Sequence, residues 1–174
     1  MAFVLNKIEL TGITPTDEED IVTHMQDKEI SEGTSRIPYP YTLKHAKQWV
    51  EDNQIYEDEQ GFKRNYAIRS ETGKMLGCIG LHFNYGADAD KSEFGYWLCK
   101  PYRNQGIMTE AIKKMAALAK EQYQLKSLEA HVFDFNIASH KALIKAGFTT
   151  VERVHALYEK DGKKIDGIKF VLML

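Results

Sequence analysis

Apolar residues near the start of the chain recur at spacings that predict one strand and two helices. The strand is marked by apolar positions at Phe3, Leu5, Ile8 and Leu10, with its register left open. A helix is predicted from about 14 to 27, because the acidic residues after Pro15 suit the positive end of a helix dipole. A second helix is predicted from 42 to about 57, since Thr42 can cap an amphipathic stretch. The segment 29–41 is broken by glycine and proline and is predicted to be irregular.

The remainder of the chain alternates strands and helices in an order that indicates a fold class. Strands are predicted over 65–69, 74–83, 92–99, 128–133, 149–158 and 164–174. Helices are predicted over 106–121, which has the most regular apolar stripe, and from Asn136 to Gly147. Turn residues at 70–73 give the first two of these strands a hairpin signature, and a polar loop is predicted at 84–91. The order β-α-α-β-β-β-α-β-α-β-β indicates an α/β (α+β) protein with a mixed sheet covered by helices.

Length, composition and charge exclude several classes of protein. At 174 residues the chain has the length of one domain, so we expect a single domain over 1–174. Its 23 basic and 25 acidic residues argue against a dedicated nucleic-acid binder. No apolar run approaches the ~20 residues of a transmembrane helix, and the N-terminus lacks a signal-peptide pattern. We therefore expect neither nucleic acid nor a membrane as a partner.

The cysteines and histidines predict no metal site. Cys78 and Cys99 fit no zinc pattern and form no disulfide framework, which makes a reducing cytoplasm the expected location. The 6 histidines show no HxxxH or HExxH spacing.

The segment 93–111 carries the clearest chemical signal. A predicted strand ends near Cys99, a tight loop follows, and a helix begins at Gly106. Such a junction directs unpaired backbone N–H groups at one point, and the helix dipole adds positive charge, so phosphate or pyrophosphate can bind there. Neither a GxxxxGK[ST] nor a GxGxxG pattern is present, which excludes a P-loop and disfavours a Rossmann site. The alternative is an ordinary strand-to-helix turn with an exposed Arg103.

Four short motifs resemble the GNAT superfamily of acyl-CoA-dependent N-acetyltransferases. They are EFGYWL at 93–98, RNQGIMTEA at 103–111, NIAS at 136–139 and GF at 147–148. The resemblance extends over nearly the whole chain, and it is greatest to the RimJ/RimL-type branch of ribosomal-protein N-terminal acetyltransferases. It implies a single-domain acyl-CoA N-acyltransferase fold, with a mixed, mostly antiparallel twisted sheet and helices on both faces. It also implies acetyl-CoA as the co-substrate.

The resemblance assigns residues to the cofactor. The end of the strand predicted over 92–99 would pair its backbone with the pantetheine arm, through Trp97, Leu98 and Cys99. The loop and first helical turn would hold the pyrophosphate, through Arg103, Asn104, Gln105, Gly106, Ile107, Met108 and Thr109. Met108 stands where the family has glycine or alanine, so contact there would be through backbone alone. Asn136 matches a pantetheine-contacting asparagine, and Lys141 lies where a basic residue meets the CoA 3′-phosphate.

Acetyl transfer by direct attack of an amine needs a base, an oxyanion donor and an acid for the thiolate. Glu93 matches a family carboxylate and is the candidate base, directly or through water; the alternative is a strand-face residue in a salt bridge. Leu143 occupies the position of a tyrosine acid found in many relatives, so Ser139 is the candidate acid. Its alternative is a hydroxyl in the first helical turn. A backbone N–H near Leu98 or Cys99 would stabilise the oxyanion.

Several further residues bear on the site. Cys99 is interpreted as a small buried hydrophobe rather than an acetyl-carrying nucleophile. Three histidines lie in segments near the expected cleft, namely His82, His131 and His140. We expect none of them to be the base, and the alternative is that one of the three serves as it. The stretch 37–41 lines the amine pocket or serves as a packed connector. Val151-Glu152 replaces the usual Glu-Gly of the branch, so no acceptor contact is inferred there.

These observations lead to an N-acetyltransferase whose acceptor is a protein N-terminal α-amine. The alternatives are a small-molecule amine acetyltransferase acting on a polyamine, an amino acid or an aminoglycoside, and a non-catalytic acyl-CoA-binding sensor. A phosphate-ligand enzyme of unrelated chemistry is a third. A homodimer is also expected, because the last two strands can leave an edge that needs cover.

Overall fold

Seven strands and five α-helices follow one another along the described chain. The computed structural model describes residues 7–84, 88–160 and 162–174. The strands are β1 (Ile8–Gly12), β2 (Asn65–Ser70), β3 (Met75–Phe83), β4 (Lys91–Leu98), β5 (Ser127–Phe133), β6 (Thr149–Lys160) and β7 (Lys163–Met173). The helices are α1 (Glu18–His24), α2 (Lys28–Glu32), α3 (Leu43–Gln60), α4 (Ile107–Glu121) and α5 (Ile137–Lys145). Short 3-10 turns occupy Pro15–Asp17 and Lys100–Tyr102. Within the described residues, no helix combines the length and apolar character needed to cross a membrane.

The N-terminal third differs from the prediction in its helices. The segment predicted to be irregular begins with α2, because the Asp27 side chain caps it by accepting the Glu29 N–H at 3.2 Å. The first predicted helix is instead a 3-10 turn followed by α1, which ends at His24. The second extends to Gln60, where Gly61 ends it with a left-handed φ of 76°. The described residues leave out three parts of the predicted elements. These are Phe3 and Leu5 of the first strand, 85–87 of the polar loop predicted at 84–91, and position 161.

The chain divides into two compact units, and the predicted single domain over 1–174 stays a prediction. The first unit comprises 1–80 and 96–107. In it β1, β2 and β3 form an antiparallel sheet, with Ile8 opposite Ser70 and Ala67 opposite Cys78. Its core is formed by buried residues of the helices and strands, namely Ile21, Met25, Ile30, Tyr41, Ala46, Val50, Ala67, Met75, Cys78, Trp97 and Cys99.

A buried ion pair ties the first 3-10 turn to β2 in this unit. The Arg69 Nη1 and Nη2 atoms each lie 2.8 Å from one carboxylate oxygen of Asp17. Nε of the same guanidinium donates to the Thr11 hydroxyl at 2.6 Å. Asp17 is 3% exposed. The planar guanidinium therefore binds the carboxylate through two parallel hydrogen bonds, the strongest geometry available to such a pair.

The second unit comprises 81–95 and 108–174 and has the mixed part of the sheet. The start of β4 runs parallel to β5, with Glu93 opposite Glu129, and this pairing ends there. β7 pairs antiparallel with both β5 and β6, so β6 is the outer strand of this unit. The apolar stripe of α4 is buried, as predicted, at Met108, Ala111, Ile112, Met115 and Ala119. The predicted mixed sheet with helices is confirmed.

Candidate active site

The loop predicted to bind phosphate lies in the first unit, between β4 and α4. The strand ends at Leu98, and the loop 103–106 leads into the helix at Ile107. Asn104 and Gly106 are exposed and adopt left-handed φ values of 62° and 79°. Apart from Gly106 and its two chain neighbours, no atom of the described residues lies within 4 Å of the point that a Cβ on Gly106 would occupy. The first N–H groups of a helix lack intrahelical partners, so this exposed loop and helix start can receive an anion.

The side chain of Arg103 is engaged within the first unit. Its Nε donates to the Leu98 carbonyl at 3.1 Å, its Nη1 to Glu29 at 2.5 Å and its Nη2 to Asp27 at 2.7 Å. Both carboxylates belong to the N-terminal end of α2. Three charged or polar partners surround the guanidinium, which is only 27% exposed. Arg103 therefore anchors the loop to α2 and to the end of β4.

The predicted pantetheine segment forms the end of β4 and the residue after it. Trp97 and Cys99 are buried in the core of the first unit. The Cys99 N–H donates to the Leu76 carbonyl at 2.8 Å, so it is used within the unit. Burial raises the pKa of the Cys99 thiol to about 12. A thiol that stays protonated at neutral pH is a poor nucleophile, which agrees with the interpretation of Cys99 as a small buried hydrophobe.

Glu93, the candidate base, pairs with a histidine in the second unit. Its Oε1 lies 3.0 Å from Nδ1 of His131, which is on the adjacent strand β5. The two side chains are 47% and 24% exposed. Glu93 therefore has a partner of the kind expected for a strand-face residue in a salt bridge. That partner, His131, is itself a base.

The residues predicted at the start of α5 are held by a helix cap. Asn136 precedes the helix, and its side-chain oxygen accepts the Ser139 N–H at 3.2 Å. Ser139 is 8% exposed, whereas Lys141 is exposed on the helix surface. Leu143, at the position of the family's tyrosine, is fully buried. The capping geometry places the Ser139 hydroxyl in the first helical turn, where both interpretations of it remain open.

The stretch 37–41 is packed at its two ends, Ile37 and Tyr41, and exposed at 38–40. Ile37 and Tyr41 contact the core of the first unit. The Ile37 carbonyl accepts the Ser31 hydroxyl at 2.8 Å, and the Tyr41 carbonyl accepts the Gln26 side chain at 2.9 Å. These contacts favour the packed connector over an amine pocket for these residues.

Comparison with known proteins decides the family. A family model described as an acetyltransferase (GNAT) domain matches residues 7–149. The chain belongs to the GNAT acetyltransferase family. It is 32% identical over 134 residues to YjcK of Bacillus subtilis strain 168, named a probable N-acetyltransferase, over 75% of this chain and 74% of that protein. It is 29% identical over 96 residues to YdaF of the same organism, named a putative ribosomal N-acetyltransferase, over 55% of this chain and 46% of that protein.

The fold agrees with that of a solved N-acetyltransferase. A crystal structure of spermidine N-acetyltransferase from Vibrio cholerae, in complex with CoA and spermine, superposes with a TM-score of 0.79 at 14% identity. The match covers 95% of each chain. The protein is therefore a GNAT acyltransferase with acetyl-CoA as its co-substrate, and the resemblance to the RimJ/RimL-type branch agrees with the similarity to YdaF.

The structure brings together some of the predicted residues. In the first unit, Arg103 joins its own loop to Leu98. In the second, Asn136 holds Ser139. No group of three or more His, Cys, Asp or Glu side chains within the described ranges has a metal-binding arrangement.

Sequence reasoning missed three contributions to these groups. Asp27 and Glu29 hold Arg103 from more than 70 residues away in the chain. His131 was one of three alternative bases, and its pairing with Glu93 was not predicted. No short motif indicates either contact, because each joins elements that only the tertiary fold brings together.

Proposed function

We propose that this GNAT enzyme transfers the acetyl group of acetyl-CoA to the N-terminal α-amine of a protein. The observation that carries the acceptor class is the similarity to YdaF, whose name specifies a ribosomal N-acetyltransferase. The capped NIAS motif at Asn136–Ser139, which resembles the same branch, supports it. With a net charge of −2, the chain has no acidic excess that would favour a polycationic acceptor.

Backbone groups of the loop and first helical turn are the proposed pyrophosphate ligands. The exposed positions Asn104, Gln105 and Gly106 precede the buried Ile107 and Met108, so the N–H groups of this segment supply the donors. We assign Arg103 the role of holding this loop against Asp27 and Glu29. Lys141 is exposed and remains available for the 3′-phosphate.

The transfer itself needs proton handling and an oxyanion donor. Ser139 is the proposed proton donor to the thiolate, and Glu93 is the carboxylate proposed to serve removal of the amine proton, directly or through a neighbouring group. Because the Cys99 N–H is used by Leu76, we assign oxyanion stabilisation to the Leu98 N–H instead. A cytoplasmic location stays a prediction, and the two buried free thiols are consistent with it. A homodimer also stays a prediction, in which a partner would cover the outer strand β6.

Calorimetric titration followed by acetylation assays tests the proposed function. We expect acetyl-CoA to bind selectively over ATP and NAD. The acceptors to compare are a peptide with a free N-terminus and no lysine, its N-terminally blocked analogue carrying one lysine, and spermidine. Acetylation of the first alone, located by mass spectrometry, supports the proposal. Acetylation of spermidine alone would favour a small-molecule amine acetyltransferase instead. Binding of acetyl-CoA without acetylation of any acceptor would favour a non-catalytic acyl-CoA-binding sensor.

Replacing Gly106 with alanine should weaken acetyl-CoA binding about tenfold. A Cβ at φ 79° costs about 1–2 kcal/mol, and the strain is relieved when the loop moves out of the geometry that presents its N–H groups. Calorimetry on the variant measures the affinity. Gly61→Ala is the matched control, because Gly61 has φ 76° and equally open surroundings at the end of α3. It should lose comparable thermal stability and keep its affinity; equal loss of affinity in both variants would contradict the assignment of the loop.

A further inference from the structure

A row of polar side chains crosses one face of the second unit, next to the parallel strand pair. Along β5, Glu129 and His131 are half-buried on one face, while Leu128, Ala130 and Val132 are buried. Glu93 pairs in register with Glu129, so two residues further along each strand come Gly95 and His131. The Glu93 carboxylate reaches forward to the imidazole, 3.0 Å away. Both groups therefore lie towards the carboxyl end of the parallel pair, the end at which ligands bind in parallel sheets.

Glycine at 95 leaves room on β4 for a small side chain, two residues after Glu93. A Cβ on Gly95 would make only ordinary contacts, the nearest at 3.7 Å with Nε2 of His82 on β3. The charged groups around His131 are Glu93 on β4, Glu129 on its own strand, and Lys169, which faces it in register from β7. Lys169 lies 2.8 Å from Glu129, and Glu152 of β6 is opposite Lys169. The Glu129 carboxylate is paired with Lys169, so the carboxylate that contacts the imidazole is that of Glu93.

The carboxylate determines which ring nitrogen holds the proton. An ionised carboxylate only accepts hydrogen bonds, so Nδ1 of His131 must donate. The neutral ring then has its lone pair on Nε2, the nitrogen directed away from Glu93. The same arrangement orients and activates the histidine base in other acyl-transfer enzymes. An imidazole is also the side chain that most often serves as a general base in enzymes.

We propose that His131 removes the proton from the acceptor amine, and that Glu93 is a positioning residue acting through it. This inference rests on the proposed transfer of acetyl to an amine. Nε2 takes one proton from the ammonium, and the freed lone pair forms the C–N bond with the thioester carbon. The C–S bonding pair leaves with sulfur when the tetrahedral intermediate collapses. The second proton of the nitrogen passes to the thiolate, and the imidazolium releases its proton to solvent.

Two measurements on the intact protein test this assignment. The first is the pH profile of kcat/KM, from thiol release with whichever of the free-N-terminus peptide or spermidine the wild type acetylates. We expect His131→Gln to lower kcat/KM by about 10²–10³-fold and to remove the acidic limb, with acetyl-CoA affinity within about twofold of wild type. Glu93→Gln should lower it about tenfold, because an amide does not hold the imidazole in the Nδ1–H tautomer as a carboxylate does. His155→Gln, in the same unit and 80% exposed, should leave the profile unchanged.

The second measurement needs no acceptor. Long-range 1H–15N NMR spectra report the ring tautomer, and we expect the Nδ1–H form for His131 in wild type and a gain of the Nε2–H form in Glu93→Gln. A wild-type Nε2–H tautomer, or a His131→Gln variant with the wild-type profile, overturns the inference. Absence of acetyl-CoA binding in the wild type would overturn the proposed function instead, and the tautomer would still decide the Glu93–His131 pair.

Discussion

Replacing Asp17 with alanine should lower the free energy of unfolding by about 3 kcal/mol at neutral pH, because the guanidinium of Arg69, only 15% exposed, loses its carboxylate partner. The carboxylate also accepts the Thr14 N–H at 2.8 Å, so the variant loses the stabilisation of the first 3-10 turn as well. Urea denaturation of wild type and variant measures the difference. The double variant Asp17→Leu/Arg69→Met removes both charges and should recover most of the loss.

The loss of unfolding free energy in Asp17→Ala should also depend on pH. Burial raises the pKa of Asp17, but the hydrogen bonds from Arg69 and Thr14 and the Arg69 charge outweigh it, so the pKa lies below its ordinary value. A lowered folded-state pKa contributes stability that is complete above the unfolded value, near ~3.9, and is lost as the pH falls through the folded value. The gap between wild type and Asp17→Ala should therefore be constant above about pH 5 and narrow below about pH 4.

An exposed ion pair supplies the control for this experiment. Lys28 and Glu32 lie 3.1 Å apart, with 65% and 53% of their side chains exposed. Glu32→Gln should change the free energy of unfolding by less than about 0.5 kcal/mol. A loss below about 1 kcal/mol in Asp17→Ala, or equal losses in the two variants, would show that the buried pair contributes no more than the exposed one.

Elements with strong local signals were predicted well from the sequence. The stripe of α4 and the hairpin of β2 and β3 each combine a clear hydrophobic period with turn or cap residues, and both are present within one or two residues of the predicted bounds. α2 was missed because it is five residues long and its start depends on one capping contact from Asp27. A helix of that length has too few positions to show a period.

In the candidate site, too, local features could be predicted from the sequence and contacts between distant elements could not. The strand-loop-helix signal at 103–106 could be predicted because glycine placement and helix starts are local. The partners of Arg103 and Glu93 could not, since Asp27 and His131 come from other elements and follow no fixed spacing. The resemblance to the GNAT family supplied the chemistry that periodicity alone leaves open, namely acyl transfer from a CoA thioester.

Replacing Gly77 with alanine should lower both the free energy of unfolding and the rate of acetyl transfer. A Cβ there would overlap the Trp97 carbonyl oxygen and lie 3.0 Å from the Leu98 Cα. Both are backbone atoms of β4, so no side-chain rotation relieves the overlap, and the strand must move away from β3. Overpacking of this kind costs about 1–3 kcal/mol. A displacement of about 1 Å in groups that position a substrate costs about a hundredfold in rate, so we expect kcat/KM to fall by that order.

Gly12→Ala is the matched control for this substitution, because its Cβ would also make a close contact, 2.6 Å from Cε of Lys63. That contact is the far end of a flexible side chain, which can move away, and Gly12 is at the end of β1 rather than beside Trp97. Thermal denaturation and acetyl-CoA titration of both variants should show a large effect at Gly77 and a small one at Gly12. If Gly77→Ala instead keeps wild-type affinity and kcat/KM while losing stability, the close approach of β3 to β4 serves the fold alone, and the end of β4 does not position acetyl-CoA.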